Sequence, residues 1–186
     1  ALLDARSAPT PDVFLLDKAT ALLSDGKPAE AEAIFRQVRD RFDAKEGADV
    51  REGVASVLTD DQQLAYSGEH YEKVLVRFYL ALCALMRDGT DAPAYALQVN
   101  QKQEELAAAA GPGPDGSAAK PGYAPVAAGA YLHAALREET HTNYDDAARS
   151  LEQVVKWQPD FAPGPADLER ARTGHHSKPG HGVVYV

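Results

Sequence analysis

Apolar residues at helical spacing recur along this chain, opened by proline or a capping residue and closed by glycine or proline, and this pattern predicts paired helices. Thr10, Pro11 and Asp12 supply a capping hydroxyl, a proline at the first helical position and an acid in the first turn, so a helix is predicted to begin there. Val13, Leu16, Thr20 and Leu23 continue it, with Phe14, Leu15, Ala19 and Leu22 beside them, and Gly26 ends it. Pro28 opens a second helix whose apolar face is Ala31, Ile34, Phe35, Val38 and Phe42. Its Glu30, Glu32, Arg36, Arg39 and Asp40 are expected to meet water. A connection this short makes the two helices antiparallel neighbours, each covering the other's apolar stripe.

Residues 47–68 lack sustained periodicity and read as a connector, with Val54, Val57 and Leu58 able to form a short helix. From Ser67 a strong helical pattern returns through Tyr71, Val74, Leu75, Phe78, Leu82, Leu85 and Met86, and Asp88 with Gly89 ends it. A further helix is predicted from Pro93 to Ala110, marked by Tyr95, Val99 and Leu106. The Gly- and Pro-rich stretch 111–122 cannot continue a helix and reads as a linker, so 1–110 forms one helical region and 123–173 another. In the second region Pro125 begins a helix carrying Val126, Tyr131, Leu132, Ala135 and Leu136, and Asn143 caps one carrying Ala147, Leu151, Val154, Val155 and Trp157. Pro159 stops that pattern and a short helix is expected near Ala166–Arg172. Residues 174–182 read as loop and Gly182–Val186 as a short C-terminal strand.

These pairs match the pattern of tetratricopeptide (TPR) repeats, in which small and large apolar residues recur over two helices with a period of about 34 residues. The first pair supplies Gly26, Ala31, Phe35 and Val38, and the third supplies Tyr144, Ala147, Leu151, Val154 and Pro159. The middle pair fits in its first helix but needs an added turn residue to bring Tyr95 and Val99 into phase. Small residues at Ala31, Ala94 and Ala147 would let helices approach, while Phe35 and Leu151 fill the space toward the next pair. The three alanines are separated by much more than one repeat, so the hairpins are not in uninterrupted tandem. The predicted class is therefore all-α, antiparallel TPR-like hairpins arranged as an α-solenoid or a compact helical array, with a plain helical bundle as the alternative.

The run from Val57 to Met86, with Thr59, Asp60, Tyr66 and Tyr71-Glu72-Lys73-Val74-Leu75 ahead of a long apolar helix, resembles a group of bacterial TPR-containing cell-envelope proteins. The resemblance covers about two thirds of the chain. It implies a helical part followed by a β-containing C-terminal region and an extracytoplasmic setting, although no lipidated cysteine precedes Ala1. A sequence beginning at Ala1, without a signal-peptide pattern, is expected to be processed or a piece of a longer protein.

Composition narrows function. A formal net charge of -9 and the absence of a basic block argue against a nucleic-acid partner, since phosphate binding rests on clustered Lys and Arg. The apolar run Val74–Met86 is interrupted by Arg77 and falls short of the ~20 residues a membrane span needs, so no transmembrane segment is expected. Cys83 sits in an apolar run and reads as a core hydrophobe. His175, His176 and His181 lie on a Gly- and Pro-loosened tail without neighbouring acids, and His133 and His141 flank a polar hairpin turn, so neither group is assigned a metal. The zinc-protease, phosphate-loop, dinucleotide and nucleophile-elbow motifs are absent, and 111–116 has no lysine after its last glycine. No catalytic residue and no cofactor is assigned.

The expected function is a non-catalytic scaffold that holds a protein or peptide partner. Candidate partner-binding positions on first helices are Thr20, Tyr79, Arg87 and Glu139. The alternative is a structural subunit of a homomeric or filamentous envelope assembly, in which the strand residues Val183, Val184 and Tyr185 pair with a neighbour. An enzyme built on His133, His141 and nearby acids would require those groups to converge in a pocket.

Overall fold

The computed structural model describes residues 11–52, 68–109, 125–140 and 143–174, without the side chains of 48–52 and 109. Among the described residues the protein is all-helical, and it divides into two compact units, Ala1–Arg87 and Asp88–Val186. The C-terminal strand expected at 182–186 lies outside the described residues, as do the 111–122 linker and most of the connector.

The first unit contains α1 (Pro11–Ser24), α2 (Pro28–Glu52) and α3 (His70–Leu85), with α2 packed on both the others. The turn after α1 is closed by two backbone bonds, from Gly26 N–H to Leu23 O and from Lys27 N–H to Leu22 O, which satisfy carbonyls left over at the helix end. Phe35, Val38 and Phe42 of α2 are fully buried with Ala19 of α1 and Leu80 and Ala81 of α3. Burying a side chain of this size contributes roughly 1.5–3 kcal/mol, so these rings and branched chains set where α2 meets its neighbours. Gly68 leads into α3 at φ +80, and a Cβ there would stand 2.7 Å from the Phe42 ring. Both the conformation and the contact require glycine.

Contacts between α2 and α3 run in opposite chain order. Glu32 meets Arg87 (2.5 Å), Phe35 stacks on Tyr79 (centroids 5.2 Å), Asp43 meets Arg77 (2.6 Å) and Glu46 meets Lys73 (3.3 Å). Ascending numbers on one helix and descending numbers on the other define an antiparallel pair. On α2's other side Asp12 of α1 is buried and accepts from Arg41 (2.7 Å) and Lys45 (3.0 Å). Burial by itself would raise its carboxyl pKa, but the two cations more than offset that and hold it below the ordinary value.

Several details differ from the sequence reading. Helix α2 continues through Gly47 to Glu52, where a connector is predicted. A helical glycine costs about 1 kcal/mol relative to alanine, and Lys45 and Glu46, anchored to α1 and α3, lie immediately before it. Glu32 is buried (3 % exposed) instead of facing water, because Arg36 and Arg87 neutralise it. Tyr71, Met86 and Phe14 are exposed apolar side chains, so α3 buries Val74, Val76, Leu80 and Cys83 as its inward face. Burial pushes the Cys83 thiol up to about 12, with Glu32 adding to the effect.

The second unit contains α4 (Ala92–Ala109), α5 (Ala127–Glu139), α6 (Tyr144–Trp157) and α7 (Pro163–Thr173), each packed on the next. Helices α4 and α5 approach closely at Gly129, where a Cβ would lie 2.2 Å from Val99 Cγ1. Gln103 Oε1 accepts from Val126 N–H (2.5 Å), tying the start of α5 to α4. Ala127, Ala130 and Ala134 of α5 form one core with Ala147, Leu151 and Val154 of α6 and Ala171 of α7, edged by Trp157, Phe161 and Leu168. Tyr131 packs edge-on to Phe161 and donates to Asp167 (2.9 Å), and Arg170 bridges Glu138 (2.8 Å) and Asp167. Ala31 and Ala147 are wholly buried, as small contact residues should be, but Ala94 is exposed, and Ala92 and Ala96 are the buried alanines of α4.

Candidate functional site

Helices α4 and α6 both pack on α5 in the second unit. Spacing of three and four residues lines one side chain above another along a helix. Leu97, Asn100 and Glu104 therefore form a row on α4, and Asp146, Ser150 and Gln153 form one on α6. Together with Gln101 of α4, Arg149 of α6 and His133 of α5 these rows line a cleft of about 190 Å³. Gln153 donates to Glu104 Oε1 (2.6 Å) and joins the two rows. The volume falls below the ~300–1,000 Å³ typical of small-molecule pockets and suits a single side chain of a partner. A larger hollow of about 370 Å³ lies at the start of α6, but the residues lining it, Asn143–Asp146 and Arg149, all come from one helix end, so among the described residues no second element encloses it.

His133 is buried (5 % exposed), with Nδ1 2.8 Å from Ser150 Oγ and Nε2 3.3 Å from Arg137 Nε. Arg137 can only donate, so Nε2 is the accepting nitrogen, and Nδ1 carries the proton and donates to Ser150. Burial, followed by the Arg137 charge, lowers the His133 pKa and keeps the ring neutral. In this tautomer Nδ1 cannot remove the Ser150 proton, so the pair orients α5 on α6 rather than forming a nucleophile and base. His141 lies outside the described residues.

Asn100 lines the same cleft and is 6 % exposed, and its Oδ1 is buried with no donor among the described residues. This atom is 3.4 Å from the position a Cβ would take at Gly129. A buried acceptor left unpaired costs about 1–3 kcal/mol. Sequence reading missed Asn100, Glu104, Ser150 and Gln153. The available signal was polar residues in phase with Val99 and Leu106 on the inward side of α4.

Thr20 is exposed and its Oγ1 donates to Leu16 O in its own helix (2.9 Å). Tyr79 stacks on Phe35 as part of the α2–α3 contact, and Arg87 donates to buried Glu32 (2.5 Å). Glu139 is exposed at the end of α5, in the other unit. Val183, Val184 and Tyr185, like His175, His176 and His181, lie outside the described residues. Among the described residues no group of three or more His, Cys, Asp or Glu side chains is placed to hold a metal ion, and no helix is long and apolar enough to cross a membrane.

Comparison with known proteins finds no matching family model, no matching curated protein and no matching solved structure.

Proposed function

We propose that this chain is a non-catalytic scaffold that holds a protein or peptide partner through TPR-like helical hairpins. The observation that carries the reading is the pairing of antiparallel helices with wholly buried small residues at Ala31 and Ala147, the positions where the TPR pattern needs close approach. Support also comes from the chemistry of the second unit. The cleft between α4, α5 and α6 has room for a side chain, and the buried His133 is committed to Ser150 and Arg137. The sequence contributes the absence of recognisable catalytic motifs. The likeness of the Val57–Met86 run to bacterial TPR-containing envelope proteins makes a bacterial envelope extract the first place to seek the partner.

Affinity capture with the full chain from such an extract tests the proposal. Recovery of one protein in stoichiometric amount, released by competition with untagged chain, is the expected result. No stoichiometric partner across detergent and salt conditions would count decisively against it.

A further inference from the structure

Helix α1 is apolar on more sides than α2 covers. At about 100° per residue, Asp12 and Ala19 fall on one line of the helix, and both are buried on the side that packs on α2. Phe14 and Ala21, also seven residues apart, fall on the opposite line. Both are exposed, and Phe14, at 58 %, is the most exposed large apolar side chain among the described residues. Asp17 and Lys18 are exposed on the two flanks of that line, roughly 50° to either side of it. Neither forms an ion pair with another described residue. Asp25, just past the end of α1, is paired with Lys27 (2.6 Å). Asp17 and Lys18 balance each other as well, so this face is neutral in a chain of net charge -9.

We propose that this face is where two copies of the chain associate, with α1 lying parallel to α1 of the second copy, a contact independent of the scaffold reading above. A two-fold contact uses the same face twice, so the face must complement itself. In an antiparallel pair the two-fold axis is perpendicular to both helices and keeps each flank on its own side. That sets Asp17 beside Asp17 and Lys18 beside Lys18, which repel. In a parallel pair the axis runs along the helices and exchanges the flanks, so Asp17 of each copy meets Lys18 of the other. Phe14 then lies against Phe14, and Ala21 against Ala21, between the two ion pairs. Charge complementarity therefore selects the parallel arrangement. Solvent-exposed pairs of this kind add little affinity and serve to set orientation, while the Phe14 rings supply apolar area and an aromatic contact. One helix face is a small interface, at the low end for specific complexes, so the association is weak.

Sedimentation equilibrium of the full chain, from about 10 μM to about 1 mM, tests the proposal, and the expected result is a monomer–dimer equilibrium with Kd on the order of 0.1 mM. Phe14→Ser, at an exposed position, should weaken dimerisation about tenfold or more while leaving the circular dichroism spectrum unchanged. Asp17→Lys and Lys18→Asp should each weaken it several-fold, and an equimolar mixture of these two variants should recover it, because the mixed dimer regains both ion pairs. Ala21→Cys should give a disulfide-linked dimer under mild oxidation, since a parallel pair brings the two positions together, and the native Cys83 is buried. An antiparallel pair that sets Phe14 against Ala21 would hold those positions about 10 Å apart along the axis. Lys156→Cys, in the second unit, is the control. A monomer up to the highest concentration, a dimer undiminished by both Phe14→Ser and Lys18→Asp, or Ala21→Cys linking no faster than the control would overturn the proposal.

Discussion

Replacing Gly129 by alanine opposes two effects of known size. In a helix interior alanine is favoured over glycine by about 1 kcal/mol, so on local grounds the change should stabilise α5. The new methyl, however, would lie 2.2 Å from Val99 Cγ1 and 2.9 Å from Val99 Cβ. Rotation about χ1 could withdraw Cγ1 but not Cβ, and a β-branched residue in a helix has essentially one rotamer. Val99 is 1 % exposed, so relief requires α4 and α5 to separate. Overpacking of this kind costs about 1–3 kcal/mol, which cancels the gain at its lower end and leaves a net loss of up to ~2 kcal/mol for Gly129→Ala at its upper end. Urea unfolding followed by fluorescence of Trp157, the sole tryptophan, which packs against the α5–α6–α7 core, reads the loss within the right unit. Val99→Ala alone should cost about 1.5 kcal/mol for two buried methyl groups, and less than that in the Gly129→Ala background, because the new methyl fills part of the gap. A Gly129→Ala protein stabilised by about 1 kcal/mol would refute the close approach and, with it, the placement of α4 against α5.

Further outcomes follow from the buried polar groups. His133 has a lowered folded-state pKa, so below its unfolded value of about 6.5 the unfolded chain takes up a proton that the folded chain resists. Stability should fall by up to ~1.4 kcal/mol per pH unit from there down to the folded pKa, and His133→Asn should flatten that slope in paired urea titrations. Asp43→Ala strands the buried Arg77 cation and should cost about 1–3 kcal/mol. Arg77→Met should cost less because Asp43 is 43 % exposed and returns to water, and thermal or urea unfolding of the two variants gives the order. Cys83, buried and with its thiol pushed up to about 12, should react with a disulfide reagent at pH 8 only as fast as the first unit opens. Prompt labelling in native buffer would contradict its burial.

Helix existence was legible in the sequence because its signals are local. Pro11, Gly26, Pro28 and Asn143 mark ends through their own backbone preferences, and Phe35, Val38, Leu151 and Val154 mark inward faces through spacing alone. What was not legible depends on a second helix. Glu32 looks like a surface acid until Arg87 arrives from the turn just after α3, and Gly129 looks like a weak helix residue until Val99 is opposite it. Ala94 fits a repeat position by count, yet α4 is rotated so that Ala92 and Ala96 face inward. The cleft was invisible for the same reason, since Asn100 and Ser150 gain meaning only when α4 and α6 both lie on α5.

The claim that these hairpins exist to hold another protein is tested most directly by photo-crosslinking in native extract, with a benzophenone side chain in place of exposed Leu97 and, as a control, of exposed Lys156. The account predicts one dominant adduct from position 97, saturating with added chain and suppressed by excess unlabelled protein. Only diffuse adducts, or equal labelling from both positions, would contradict it.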